Sequence, residues 1–177
     1  ELMNRRELLM GTSMVGMAAM LGMQQALAGG HNKPRVELTE TQQLELEQAN
    51  NQLVADFVAA YATRDAAVID SFVSDDIVYQ ITPGMAEIVG REAFYKHNAN
   101  MFKGLDKVAW VNSRQFTIGP IVINDRVDDF IPYAGSKVPR MQFRVAGYFL
   151  VEDNKIQVWR DFPYPGAKQL IEPAPKA

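Results

Sequence analysis

Ile121-Val122-Ile123-Asn124-Asp125-Arg126-Val127-Asp128-Asp129-Phe130 is an apolar strand pattern with charge set into its centre. Successive strand residues point to opposite faces. Asn124, Arg126, Asp128 and Phe130 therefore share one face, and Asp125 and Asp129 the other. Charges on the inner face of a sheet are costly unless they are paired and hydrogen-bonded. The strand therefore requires partners on its neighbours.

The alternating period extends outward from this run. Strands are expected near residues 107–118, 121–131, 141–151 and 155–162, joined at Gly119-Pro120, Ala134-Gly135-Ser136 and Glu152-Asp153-Asn154. Upstream the period is helical. Thr39 is a candidate cap, and Leu44, Ala49, Leu53, Phe57, Val58 and Tyr61 recur on one helical face until Arg64-Asp65 breaks it. A second helix is expected over 66–73, with Val68, Ile69 and Phe72 as its buried stripe. Asp75-Asp76 reads as a turn, residues 77–81 as a strand grouping Ile77, Tyr79 and Ile81, and Thr82-Pro83-Gly84 as its end. Gly90-Arg91-Glu92 opens a third helix to about Phe102, and Gly104 stops it. Helices first and an antiparallel run after is an α+β order. The helices must cover one face of a curved, mixed but mainly antiparallel sheet. Such a cone encloses a blind pocket suited to a small ligand.

Composition narrows the chemistry. The chain has 177 residues, a net charge of −3 and no cysteine. Disulfides, thiolate catalysis and zinc–sulfur sites are excluded, and no basic tract suggests nucleic acid. The two histidines, His31 and His97, could complete a metal site only with carboxylates brought in from elsewhere. No metal is expected. Gly-x-Ser-x-Gly and glycine-rich phosphate loops are both missing.

Residues 1–28 read as an address. Asn4-Arg5-Arg6-Glu7-Leu8-Leu9 resembles a twin-arginine export signal. A Met-, Gly- and Ala-rich apolar segment follows, then Ala26-Leu27-Ala28 as a small–x–small cleavage pattern. A membrane anchor is the competing reading. Glycines and Gln24-Gln25 interrupt the segment and disfavour a stable anchor. The expectation is a periplasmic or secreted protein with residues 29–38 as linker and 39–177 as the catalytic domain.

In the last strand alternation groups Trp159 with Asp161, while Val158, Arg160 and Phe162 face away. Arg126 with one aspartate could be a structural ion pair. A second aspartate on a Trp-Arg-Asp strand end shifts the reading toward acid–base chemistry. Here a family resemblance becomes specific. Asp125-Arg126-Val127-Asp128 resembles the Arg-x-Asp strand of limonene-1,2-epoxide hydrolases. Residues 147–162, ending Trp159-Arg160-Asp161-Phe162, resemble their closing hairpin. Asp76-Ile77-Val78-Tyr79-Gln80 resembles the strand bearing their active-site tyrosine, and Gly90-Arg91-Glu92-Ala93 the start of their third helix. The resemblance spans about residues 44–162 and implies the NTF2-like, or cystatin-like, cone of the SnoaL-like superfamily.

It also implies roles. Asp161 would be the general base and Asp128 the general acid. Arg126 would bridge them, and Tyr79 would hold the nucleophilic water, without a cofactor. The implied substrate partner is a lipophilic epoxide, and the implied assembly a homodimer. One position departs from the family: the asparagine expected two residues after the tyrosine is Ile81, and Asn124 is a candidate replacement. Phe143, Val145, Phe130, Met101, Phe57 and Trp159 are expected, with Ile81 and Asn124, to contact the substrate. Two other functions remain open: a ketosteroid-isomerase-like or SnoaL-like isomerase or cyclase, and a periplasmic binding domain for apolar compounds.

Overall fold

The computed structural model describes residues 37–165 and the backbone of Leu170–Glu172. The expected export signal and nearly all of the expected linker lie outside the described residues. Helix α1 spans Glu40–Ala60. It starts at a capping box in which the Thr39 side chain accepts from the Gln42 amide and the Gln42 side chain accepts from the Thr39 amide. A 3₁₀ turn, Tyr61–Thr63, ends at Arg64 in the left-handed region (φ 54°). A short helix α2 follows, Ala66–Asp70, capped by Asp65. Then come β1 (Val73–Gln80), β2 (Ile88–Val89), α3 (Arg91–Phe102), β3 (Leu105–Ile118), β4 (Ile121–Pro132), β5 (Arg140–Glu152), β6 (Lys155–Pro163) and β7 (Leu170–Glu172).

Six strands run in the order β2-β1-β6-β5-β4-β3, and β7 pairs with the start of β5. All neighbours are antiparallel except β1 and β6. The sheet is thus mixed and mainly antiparallel, and it remains open. Helix α1 packs on β3 and α3 on β1, so both helices lie over the inner face that carries Asn124, Arg126 and Asp128. The β5–β6 hairpin turns on Asp153 and Asn154, both at positive φ (49° and 56°). Residues tolerant of that region suit such a turn.

Three expectations need correction. Asp75 and Asp76 make no turn. They lie within β1, where a register irregularity between Val73 and Val78 puts both side chains toward solvent. An irregularity of this kind breaks the alternation that a strand reading relies on. Helix α2 stops at Asp70 because Val73 already pairs with Ile156 of β6, and Val68 is exposed. Finally, Leu44 and Ala49 do not face the core. The buried face is Asn50, Val54, Phe57 and Val58, continued by Tyr61. Asn50 belongs to it because its amide donates to the Gly119 carbonyl in the β3–β4 turn, at 3.0 Å.

Candidate active site

The sheet register explains how one arginine reaches two carboxyls on different strands. Asn124 of β4 lies opposite Gly147 of β5, and Gly147 lies opposite Asp161 of β6. With no side chain on Gly147, the Arg126 guanidinium extends across β5 to Asp161. A Cβ on Gly147 would sit 2.4 Å from Arg126 Nη1 and 2.5 Å from Asn124 Oδ1.

Four hydrogen bonds hold the guanidinium. Nε donates to Asp128 Oδ1 at 2.8 Å and Nη2 to Asp128 Oδ2 at 3.0 Å. Nη2 also donates to Asp161 Oδ2 at 2.6 Å, and Nη1 to Asn124 Oδ1 at 3.1 Å. Arg126 is 0% exposed, Asp128 4% and Asp161 6%. The indoles of Trp110 and Trp159 lie 5.1 and 5.6 Å from its central carbon, within cation–π range. Trp159 Nε1 donates to the remaining oxygen of Asp161, Oδ1, at 2.7 Å.

One positive charge between two carboxyls cannot neutralise both. Burial pushes the Asp128 carboxyl up to about 6, against the pull of Arg126. Burial also raises Asp161, opposed by Arg126 and by the Trp159 hydrogen bond. Burial would pull the guanidinium down, but Asp161 and Asp128 together hold it above its ordinary value, so it stays charged. The pair can therefore keep one proton up to about pH 6, as carboxyls sharing a dry site do. Its position is biased. The indole donor at Oδ1 favours an ionised Asp161, whereas among the described side chains Asp128 accepts only from Arg126, which it shares with Asp161.

The cavity beside the pair has a volume of about 370 Å³ and largely apolar walls. It lies within the range of ligand sites. Tyr79, Asp128 and Asp161 face it. So do Ile81, Met101, Phe130, Phe143 and Val145, which is where the sequence puts them. Three expected substrate contacts lie elsewhere. Phe57 and Trp159 are core residues: Phe57 is edge-on to Tyr61, Phe72, Phe149 and Trp159, and Trp159 is stacked between Tyr79 and Phe149. Asn124 does not line the cavity. Its carbonyl is taken by Arg126 and by the Gly147 amide, so it fixes the arginine and does not replace the amide missing at Ile81.

The sequence alone does not place Tyr61, Thr82, His97, Asn98 or Trp110 at the substrate, yet all line the cavity. A signal for Asn98 exists: with Phe94 and Phe102 it repeats every four residues along the buried face of α3. Burial lowers the His97 pKa, leaving the ring neutral near pH 7. Among the described residues no cluster of three or more His, Asp or Glu side chains is arranged to hold a metal ion.

Residues 48–168 match the family model for the limonene-1,2-epoxide hydrolase catalytic domain. A solved LEH-like epoxide hydrolase from M. tuberculosis is similar at 27% identity and a TM-score of 0.59, over 67% of this chain and 85% of that one. A proposed ketosteroid isomerase from Kribbella flavida is similar at 15% identity and TM-score 0.54, over 69% and 82% of the two chains. A protein with a ketosteroid isomerase-like fold from Catenulispora acidiphila gives 17%, 0.54, 63% and 84%. These last two share the fold alone. No curated protein matches. The NTF2-like cone expected from the order of elements is the fold observed.

Proposed function

Because this chain belongs to the limonene-1,2-epoxide hydrolase family, we propose that its bridged carboxyl pair adds water to a lipophilic epoxide in one step, giving a vicinal diol. The observation that carries this reading is the buried Arg126 fork, shared between Asp128 and Asp161 beside an apolar cavity. Ionised Asp161 takes a proton from water as the water oxygen bonds to an epoxide carbon. The carbon–oxygen bond of the ring breaks, and its oxygen receives the proton of Asp128. The pair is restored when the proton now on Asp161 returns to Asp128. The net charge of the site is unchanged, since one carboxyl gains a proton as the other loses one, and Arg126, bonded to both, stabilises the negative charge as it moves from one to the other.

The test is diol formation from a panel of alicyclic, aryl and terpene epoxides. Asp161→Asn and Asp128→Asn are each expected to lower kcat about 100- to 10,000-fold, the range for a positioned proton transfer. Diol yield that survives both substitutions would overturn the mechanism. An absence of diol from every epoxide, with isomerisation of a 5-ene-3-ketosteroid, would make the pocket a proton-transfer isomerase. Tight binding of apolar compounds that ignores Asp161→Asn would make it a binding domain.

The active form is the one holding a single proton on the pair, so kcat/KM is expected to be bell-shaped in pH. The alkaline limb follows loss of the Asp128 proton, near pH 6. The acid limb follows protonation of Asp161. Trp159→Phe keeps an aromatic ring between Tyr79 and Phe149 but removes the donor at Asp161 Oδ1. A hydrogen bond to a charged group contributes about 1.5–3 kcal/mol, so the acid limb should move up by about one to two pH units. An unmoved acid limb in this variant would show that the indole does not set the basicity of Asp161.

A further inference from the structure

We infer that Tyr61, oriented by Asn98, joins Tyr79 and Asp161 to form the seat of the attacking water, an inference that rests on epoxide hydrolysis as the reaction. The argument starts at a helix carbonyl. Asn98 Nδ2 donates to the Phe94 carbonyl one turn back in α3, at 3.0 Å. That bond fixes which end of the amide is which. Asn98 Oδ1 is then the acceptor for the Tyr61 hydroxyl, also at 3.0 Å. The only proton of Tyr61 is thereby used, and its oxygen can only accept from anything further. Tyr61 lies at the end of α1, stacked on Trp110 at 3.8 Å and edge-on to Trp159 at 5.9 Å.

Tyr79 complements it. Its ring stacks on Trp159 at 3.9 Å, and the nitrogen of that same indole bonds Asp161. Among the described residues the Tyr79 hydroxyl has no protein partner, so its proton is free to donate. Both phenols line the cavity with Asp161. Burial raises both above the ordinary phenol value, with Asp161 among the charges acting on each, so both stay neutral.

The hydrogen-bonding capacities of these groups fit one water. It donates one hydrogen to Asp161 and the other to Tyr61 Oη, and it accepts from Tyr79 Oη. One lone pair remains, and that pair bonds to the epoxide carbon while Asp161 takes the proton. Ile81, on the same wall, has no polar side-chain atom to offer. Asn98 acts through Tyr61 and is a positioning residue.

The first test is a crystal structure of the ligand-free protein at a resolution that shows waters. One ordered water within hydrogen-bond reach of Tyr61 Oη, Tyr79 Oη and an Asp161 oxygen is expected, and its absence would overturn the seat whether or not the protein turns over. The second is kinetic. Tyr61→Phe and Asn98→Leu should each lower kcat about 10- to 100-fold with KM changed less than about twofold, because the water is held for reaction and not for substrate binding. The double variant should be no slower than the slower single one, since the two residues act as one unit. Retained kcat in Tyr61→Phe, or a raised KM with kcat intact, would overturn the inference while leaving diol formation standing. An ordered water in a protein that forms no diol would instead remove the reaction and leave the seat.

Discussion

Replacing Arg126 with methionine is expected to abolish diol formation and to cost about 3–5 kcal/mol of stability near neutral pH, the usual consequence of removing one partner from a buried ion cluster. The two effects have one origin. Arg126 is 0% exposed and contacts both carboxyls and Asn124. Methionine fills part of the volume but leaves Asp128 and Asp161 facing each other without a counter-charge. Both carboxyl pKa values should then climb, since burial already raises each of them against the pull of Arg126. A carboxyl raised in the folded state costs stability above its unfolded pKa of about 4, and the cost grows until pH passes the folded value. The gap in Tm between the variant and its parent should therefore widen from pH 4.5 to pH 7.5. A gap equal at both pH values would refute charge neutralisation as the role of Arg126. Lysine at the same position restores charge but not the planar fork. It should recover stability in part and activity hardly at all.

How far this site could be read from the chain depends on the period of the element that carries each residue. From Ile121 to Asp128 in β4 and from Val158 to Phe162 in β6 a two-residue alternation separates inner from outer side chains, so Asn124, Arg126, Asp128, Trp159 and Asp161 are assigned to the correct face without any tertiary information. Alternation gives the face but not the depth. Phe57, Trp159 and Asn124 all point inward, yet they lie in the packed layer behind the cavity wall. What decides this is the packing of helix on sheet, which no single element encodes. Irregular geometry hides more. The break between Val73 and Val78 mimics a turn at Asp75-Asp76, and β2 and β7 are two and three residues long, too short to carry a period.

The Tyr61–Asn98 pair was hidden for a different reason. Each residue sits on a mainly apolar helical face, where a polar atom looks like a tolerated core group. Only the meeting of α1 with α3 shows that one satisfies the other and that both reach the cavity. The position at Ile81, read along β1 alone, looks like a missing amide. Across the helices, an amide and a phenol are present on the same cavity.

Gly147→Val should be as damaging as the loss of the arginine, although Gly147 carries no chemistry. The glycine is the opening in β5 through which β4 and β6 share a guanidinium. Its own backbone has no need of glycine's conformational freedom; the constraint is space. An added Cβ would approach Arg126 Nη1 to 2.4 Å, Asn124 Oδ1 to 2.5 Å and Phe149 Cε2 to 2.8 Å. None of the three can retreat cheaply. The guanidinium is held by Asn124, Asp128 and Asp161 between two indoles, Asn124 is pinned by the Gly147 amide, and Phe149 is 0% exposed against Trp159. Overpacking of a filled core usually costs about 1–3 kcal/mol. Here it must also break a buried ion contact, so valine should cost more than about 3 kcal/mol. Displacing the fork by even about 1 Å misaligns the pair, a shift associated with a rate loss of about 100-fold or more. Alanine should give a graded version of both effects. Measured together, Tm and kcat separate the causes: a Gly147→Ala protein that keeps its parent's kcat would show that Arg126 reaches Asp161 by some path other than across this glycine.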